Sequence, residues 1–237
     1  MPKKFDTPQQ FVQWNEAMAQ KYDPDAYHTR SNFFIRWIEK RRVSAIVDFL
    51  KTAPGEKVLE VGCGAGNVLE QIPAGALFGV DLSTYLLQKS RQRLGSQQVA
   101  LLQADAQKLP FSTGKFQKVF CTEVLEHVIN PGQVIKEIVR VSCEDAIIVI
   151  SVPNEAMINR LKNFTRILGL GRILLREKKT GEEYVPPIKM TDEWHLHEFD
   201  LHYLENLMDN TLQIMTVQAV PHRLLPVRYV VCCQRVK

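Results

Sequence analysis

Glu123, Glu126 and His127 set two carboxylates and an imidazole within five residues, and Trp194-His195-Leu196-His197 brings a second imidazole pair later in the chain. Carboxylates spaced i, i+3 with an adjoining histidine would face one point if the segment formed a helical turn. Imidazole changes charge near neutrality, and His127 follows closely on the apolar run Lys118-Val119-Phe120-Cys121, so it is the best candidate for a general base. The segment Glu-His-x-x-x-Pro also serves to cap and end a short helix, which leaves a scaffold role open. His197 reads as a packing or surface residue.

A second group of residues suits binding rather than proton transfer. The run Val58-Leu59-Glu60-Val61 empties into Gly62-Cys63-Gly64-Ala65-Gly66-Asn67, with glycine at every second position. In a βα turn such a loop lets a ligand lie against the main chain. A dinucleotide loop of the form Gly-x-Gly-x-x-Gly would need glycine where Asn67 stands, and a phosphate loop would end in Gly-Lys-Ser/Thr, which is absent. The apolar Ala76-Leu77-Phe78-Gly79-Val80 closes on Asp81, an acid about 20 residues past the loop that can accept from both hydroxyls of a ribose. Asp81 is also compatible with a helix cap before Ser83.

These residues must be held by alternating elements. From Lys57 to about residue 154, short apolar runs alternate with amphipathic stretches, the pattern of a parallel sheet with helices on both faces. Residues 7–52 keep helical spacing through Phe11, Trp14, Met18 and Tyr22 and again through Phe33, Trp37, Ile38 and Ile46, with Pro24 between the two stretches. Tyr27 and His28, at that break, are candidates to line a pocket. Residues 155–190 depart from the alternation. A helix near 200–209 and strand-like Leu212–Val220 and Tyr229–Arg235 complete a single domain over 1–237.

The net charge of +4 is too small by itself to imply nucleic acid, and five cysteines without C-x-x-C spacing fit a reducing, cytoplasmic setting. The amino terminus lacks the apolar stretch of a secretory signal, and no apolar run approaches a membrane span.

In its glycine loop, in Asp81-Leu82, in Asp105-Ala106 with Leu109-Pro110-Phe111, in Thr122–His127 and in Ser151–Asn154, the chain resembles the class I S-adenosylmethionine-dependent methyltransferases. The resemblance implies a Rossmann-like α/β fold with seven strands in the order 3-2-1-4-5-7-6 and the last strand antiparallel. It assigns cofactor binding to Glu60, Gly62, Gly64, Gly66, Asp81, Leu82, Asp105 and Ala106, and acceptor chemistry to His127, His195 and Glu123. Glu123, Glu126, His127 and His195 also resemble the divalent-metal constellation of ubiquinone-biosynthesis O-methyltransferases and of small-RNA 2′-O-methyltransferases, and a bound metal is the less favoured alternative. The expected activity is O-methylation of a small or amphipathic acceptor. An RNA 2′-O-methyltransferase and a catalytically silent binding protein of the same fold are the alternatives. Against RNA, no stacking aromatics interleave with the basic residues. Residues 155–190, apolar and basic, read as a lid over the acceptor, with peripheral contact to anionic lipid as the other reading.

Overall fold

The computed structural model describes residues 3–95, 97–167 and 193–236. The larger part of the expected insertion, 168–190, lies outside the described residues, and so does the side chain of Tyr27. Three helices lead: α1 (Pro8–Tyr22), α2 (Pro24–Arg30) and α3 (Phe33–Leu50). Pro24 does more than break a helix. It occupies the first turn of α2, where its missing N–H costs nothing, behind Asp23 in the left-handed region.

The sheet follows as β1 (Lys57–Val61), β2 (Ala76–Asp81), β3 (Val99–Gln103), β4 (Phe116–Thr122) and β5 (Ser142–Pro153), with α4 (Thr84–Leu94) between β2 and β3 and α5 (Pro131–Val141) between β4 and β5. Then come α6 (Glu155–Ile167), α7 (Leu201–Met208), β6 (Leu212–His222) and β7 (Leu225–Arg235). Strand order is β3-β2-β1-β4-β5-β7-β6. Neighbours from β3 to β5 run parallel, and β7 is antiparallel to both β5 and β6. The expected Rossmann-like seven-stranded sheet is therefore present. The terminal strands are longer than the apolar runs suggested, because Pro221 and Pro226 sit opposite each other inside the β6–β7 pairing at a register shift. There neither missing N–H interrupts the central sheet.

Both faces are covered. On one, Val134, Ile135, Ile138 and Val141 of α5 pack with Leu204 and Met208 of α7 onto Leu59, Val119 and Ile148. On the other, Ile38, Ala45, Ile46 and Leu50 of α3 pack with Leu87 and Leu94 of α4 onto Val58, Phe120 and Val149. Met157, Ile158 and Leu161 of α6 join this second cluster, so the first turns of the 155–190 segment help cover the sheet. Central β1 is buried from Val58 to Val61, as a strand covered on both faces must be.

Candidate active site

A cavity of about 330 Å³ opens over the carboxyl ends of β1, β2 and β4, and it is lined by the glycine loop, Asp81, Asp105, His127 and His195. An open parallel sheet leaves its crevice there, where the strand order reverses beside β1. All eight residues expected to bind cofactor contribute to this wall except Gly66.

The loop's glycines serve different ends. Gly62, at φ +75°, turns the chain out of β1, and its N–H and that of Cys63 both donate to the Val80 carbonyl at 2.8 Å. A Cβ on Gly62 would stand 2.2 Å from Cγ2 of Val124, whereas one on Gly64 would meet nothing within 4 Å. Protein thus fills the space beside Gly62, and a ligand is free to occupy the space beside Gly64.

Asp81 anchors the loop from β2. Its Oδ2 accepts from Gly64 N–H at 2.8 Å and its Oδ1 from Ser83 N–H at 2.8 Å. Burial pushes its carboxyl up to about 6, against the pull of those two backbone donors. The hydrogen bonds that a ribose would donate to Asp81, the role that the resemblance implies for it, favour the ionised form. S-adenosylhomocysteine affinity should therefore hold steady above pH 7 and weaken by up to about tenfold per pH unit once Asp81 is protonated, a profile that Asp81→Asn should flatten. Titration calorimetry across that range checks both curves.

Glu60 lies beneath the loop, wholly buried, and its carboxyl is raised well above the usual range by burial despite the nearby Arg42 guanidinium. Its Oε2 has no hydrogen-bond partner, and neither has Nη1 of Arg42 on α3. Glu60 and Arg42 both line the cavity, and their orphaned carboxyl oxygen and guanidinium N–H make a set complementary to the ammonium and carboxylate of an amino acid. The rest of Arg42 is engaged. Its Nε and Nη2 reach Glu39 Oε2 at 2.9 and 2.8 Å, and Arg228 bridges Glu39 Oε1 at 3.2 Å and Glu123 Oε2 at 2.9 Å. Burial opposes ionisation of Glu39, but Arg228 and Arg42 outweigh it and hold the carboxyl near 2. Two carboxylates and two guanidiniums balance in charge, which is the condition for burying them together.

Glu123 therefore does not converge with Glu126 as a helical turn would have arranged. The segment after β4 is a turn, and Glu123 enters it at φ +55° with its carboxylate held by Arg228 and by Ser151 Oγ at 2.8 Å. What does converge is Glu126, His127 and His195, whose ligating atoms lie within 4.8 Å of one another. The link is main chain: Leu196 N–H donates to the Glu126 carbonyl at 2.7 Å and seats the 194–197 segment against this turn. His127 Nδ1–H donates to the Trp194 carbonyl at 3.3 Å, which leaves Nε2 as its acceptor nitrogen. His195 Nδ1 pairs with Glu155 Oε1 at 2.5 Å, and the two imidazole rings stand edge to face with centroids 4.8 Å apart. Burial and the neighbouring His195 push His127 down to about 3, so it stays neutral at physiological pH. His197 donates to the Val128 carbonyl at 2.9 Å and is a packing residue, as expected. His28 lines the cavity too.

Arg42, Glu39, Arg228 and Glu155 belong to no motif in the sequence and enter the site only through the fold. One signal for the first two was available: Glu39 and Arg42 fall on the inward stripe of α3 with Ile38, Ala45 and Ile46, where a charged pair needs a reason.

A metal fits part of this arrangement. Glu126 Oε2 is buried without a partner and both histidines have their second nitrogen engaged, the setting in which ligands are oriented for a cation. Glu123 is committed to Arg228 and stands apart from that group.

The topology, the glycine loop and an acid ending β2 define a Rossmann-like domain that binds a nucleoside across its switch point. Residues 59–150 match the family model described as a methyltransferase domain. Over that stretch the chain is similar to the methyltransferase-domain family, and its sheet has the Rossmann-like topology of S-adenosylmethionine-dependent methyltransferases. Among curated relatives, a malonyl-[acyl-carrier protein] O-methyltransferase of Legionella pneumophila is 35% identical over 100 residues, covering 40% of this chain and 35% of that one. A ubiquinone biosynthesis O-methyltransferase of Glaesserella parasuis is 33% identical over 129 residues, covering 51% and 55%. The chain thus spans between about a third and just over half of these relatives' lengths. Of solved structures, magnesium protoporphyrin IX methyltransferase from Synechocystis with bound S-adenosylhomocysteine superposes with a TM-score of 0.67 over 97% of this chain and 100% of that chain at 17% identity, a likeness of fold.

Proposed function

We propose that the protein transfers a methyl group from S-adenosylmethionine to a hydroxyl of a small or amphipathic acceptor. The observation that carries this reading is the half-buried imidazole pair, His127 and His195, lining the same cavity as the glycine loop. When bound, the cofactor supplies a methyl group on a sulfonium whose departure needs no acid. The chain's own task is then to align the acceptor oxygen and remove its proton.

In this reading Asp81 holds the ribose, Leu82, Asp105 and Ala106 border the adenine, and Glu60 with Arg42 grip the amino-acid end. His127, kept neutral by burial, takes the hydroxyl proton on Nε2 as the new oxygen–carbon bond forms. His195 is oriented by Glu155 and packs its ring edge to face against His127, while the Trp194 carbonyl that accepts from His127 Nδ1 favours the charge that develops on the imidazole. The relatives' names, which include a ubiquinone biosynthesis O-methyltransferase and a malonyl-[acyl-carrier protein] O-methyltransferase, support oxygen as the acceptor atom. Among the described residues no helix is long and apolar enough to cross a membrane.

A second reading has one observation in its favour, the orphaned oxygen of Glu126. Glu126, His127 and His195 would hold a divalent cation, which would lower the pKa of a bound hydroxyl. Labelled-methyl transfer to a panel of phenols, catechols and carboxylic acids tests both. His127→Ala should cut turnover by about 10²- to 10⁴-fold with cofactor affinity unchanged, and chelator should leave the parent rate intact. Undiminished turnover in His127→Ala would remove the base, whereas loss of turnover with chelator and recovery with magnesium would replace it by the metal.

A further inference from the structure

The first turns of α3 carry the largest cluster of apolar surface left open to solvent among the described residues. Phe33 is 77% exposed, Phe34 46% and Trp37 38%. The rings of Phe34 and Trp37 lie 5.8 Å apart, and the Arg41 guanidinium sits 5.8 Å above Trp37. Aromatic side chains on a helix that also buries an inner stripe are not there for the core, since that stripe is already supplied by Ile38, Ala45 and Ile46.

The exposed charges on these turns of α3 are of one sign, so aromatics do interleave with basic residues here, against the expectation from the sequence. Arg36, Lys40 and Arg41 are exposed on the same turns, and the acid within this stretch, Glu39, is buried in its ion pairs. No exposed carboxylate appears on α3 before Asp48, two turns further on. An aromatic cluster rimmed by cations, at the helix end whose dipole is positive, is complementary to an anionic surface that is also apolar just below its charge. The position adds a second consideration. Phe34 and Ile35 line the cavity, as do Leu161 and Lys162 of α6, so this face forms the rim through which an acceptor would enter.

We propose that the amino-terminal end of α3 is an interfacial docking surface for an anionic bilayer, with Phe33, Phe34 and Trp37 seated among the headgroups and Arg36, Lys40 and Arg41 paired to lipid phosphates. This surface involves none of the groups assigned above to cofactor or proton. It holds whether or not the acceptor is a hydroxyl.

Co-sedimentation with vesicles tests it on the full chain. The protein should partition onto mixed phosphatidylcholine–phosphatidylglycerol vesicles at low salt and only weakly onto phosphatidylcholine alone, with tryptophan emission moving to the blue as Trp37 leaves water. Replacing Arg36, Lys40 and Arg41 together by glutamine should lower partitioning about a hundredfold, and Phe33→Ser with Trp37→Ser should abolish the emission shift. Both variants should keep the parent's S-adenosylhomocysteine affinity and melting temperature, since neither set of residues is buried. Three results would overturn the inference: a parent protein that stays in solution with anionic vesicles, variants that sediment like the parent, or a change of oligomeric state in Trp37→Ser without lipid, which would make the face a contact between copies.

Discussion

Gly62→Ala should lose measurable cofactor binding and unfold well below the parent. Two costs fall on the same atom. At φ +75° an L side chain is strained by roughly 1–2 kcal/mol, and the added Cβ would meet Cγ2 of Val124 at 2.2 Å, an overlap that moving the backbone relieves at about 1–3 kcal/mol more. The movement is not local. Gly62 N–H is bonded to Val80, next to Asp81, and Asp81 holds Gly64, so a shift at the turn carries Asp81 and the loop with it. Gly64→Ala supplies the contrast. At φ +50° it bears the same left-handed strain of roughly 1–2 kcal/mol, but its Cβ meets nothing within 4 Å, so that variant should stay folded, with a smaller loss of stability, while the methyl occupies space beside the loop and weakens binding. Thermal melts and S-adenosylhomocysteine titrations of the two proteins check the ordering. Equal melting temperatures for Gly62→Ala and the parent would show that the turn relaxes more freely than its contacts imply.

Arg42→Met is expected to cost about 3–5 kcal/mol of stability, the usual range when one partner of a buried ion pair is removed and its mate stays. Glu39 and Glu123 would then share Arg228 alone. The sign of the pH dependence distinguishes this cause from lost packing. In the parent, Glu39 has its carboxyl drawn from 4.5 to about 2, so its contribution is fully present above 4.5 and fades as pH falls toward 2. Without Arg42 burial dominates, the carboxyl rises, and the variant's deficit should shrink on acidification. Glu39→Gln added to Arg42→Met should recover much of the loss at neutral pH. Denaturant midpoints for the single and double variants at several pH values test both statements. Cofactor affinity should fall in both variants, because each lacks the Nη1 donor that faces the cavity beside Glu60.

The cofactor half of the molecule was legible because its signals are local. A βα turn that needs positive φ at every second position, as at Gly62, Gly64 and Gly66, admits little but glycine there, and an acid must end the neighbouring strand if a ribose is to be held, so residues 58–67 and Asp81 announce themselves in one dimension. The alternation of apolar runs and amphipathic stretches likewise dictated the parallel core, since a strand buried on both faces has to be apolar throughout, as Val58–Val61 is, apart from Glu60.

The acceptor half was decided by tertiary contacts. In sequence Glu123 and Glu126 look equivalent, yet a left-handed residue at 123 and an arginine more than a hundred positions later send one carboxylate into an ion pair and leave the other beside His127. His195 reaches that turn through a main-chain hydrogen bond to residue 126 and is oriented by Glu155, a pairing across 40 positions that no spacing rule contains. Local backbone preference acts over a few residues, so it can specify a loop or a strand. Which side chains meet across the cleft depends on how α3, α6 and β7 close over the sheet, and that is fixed by burial summed over the whole chain.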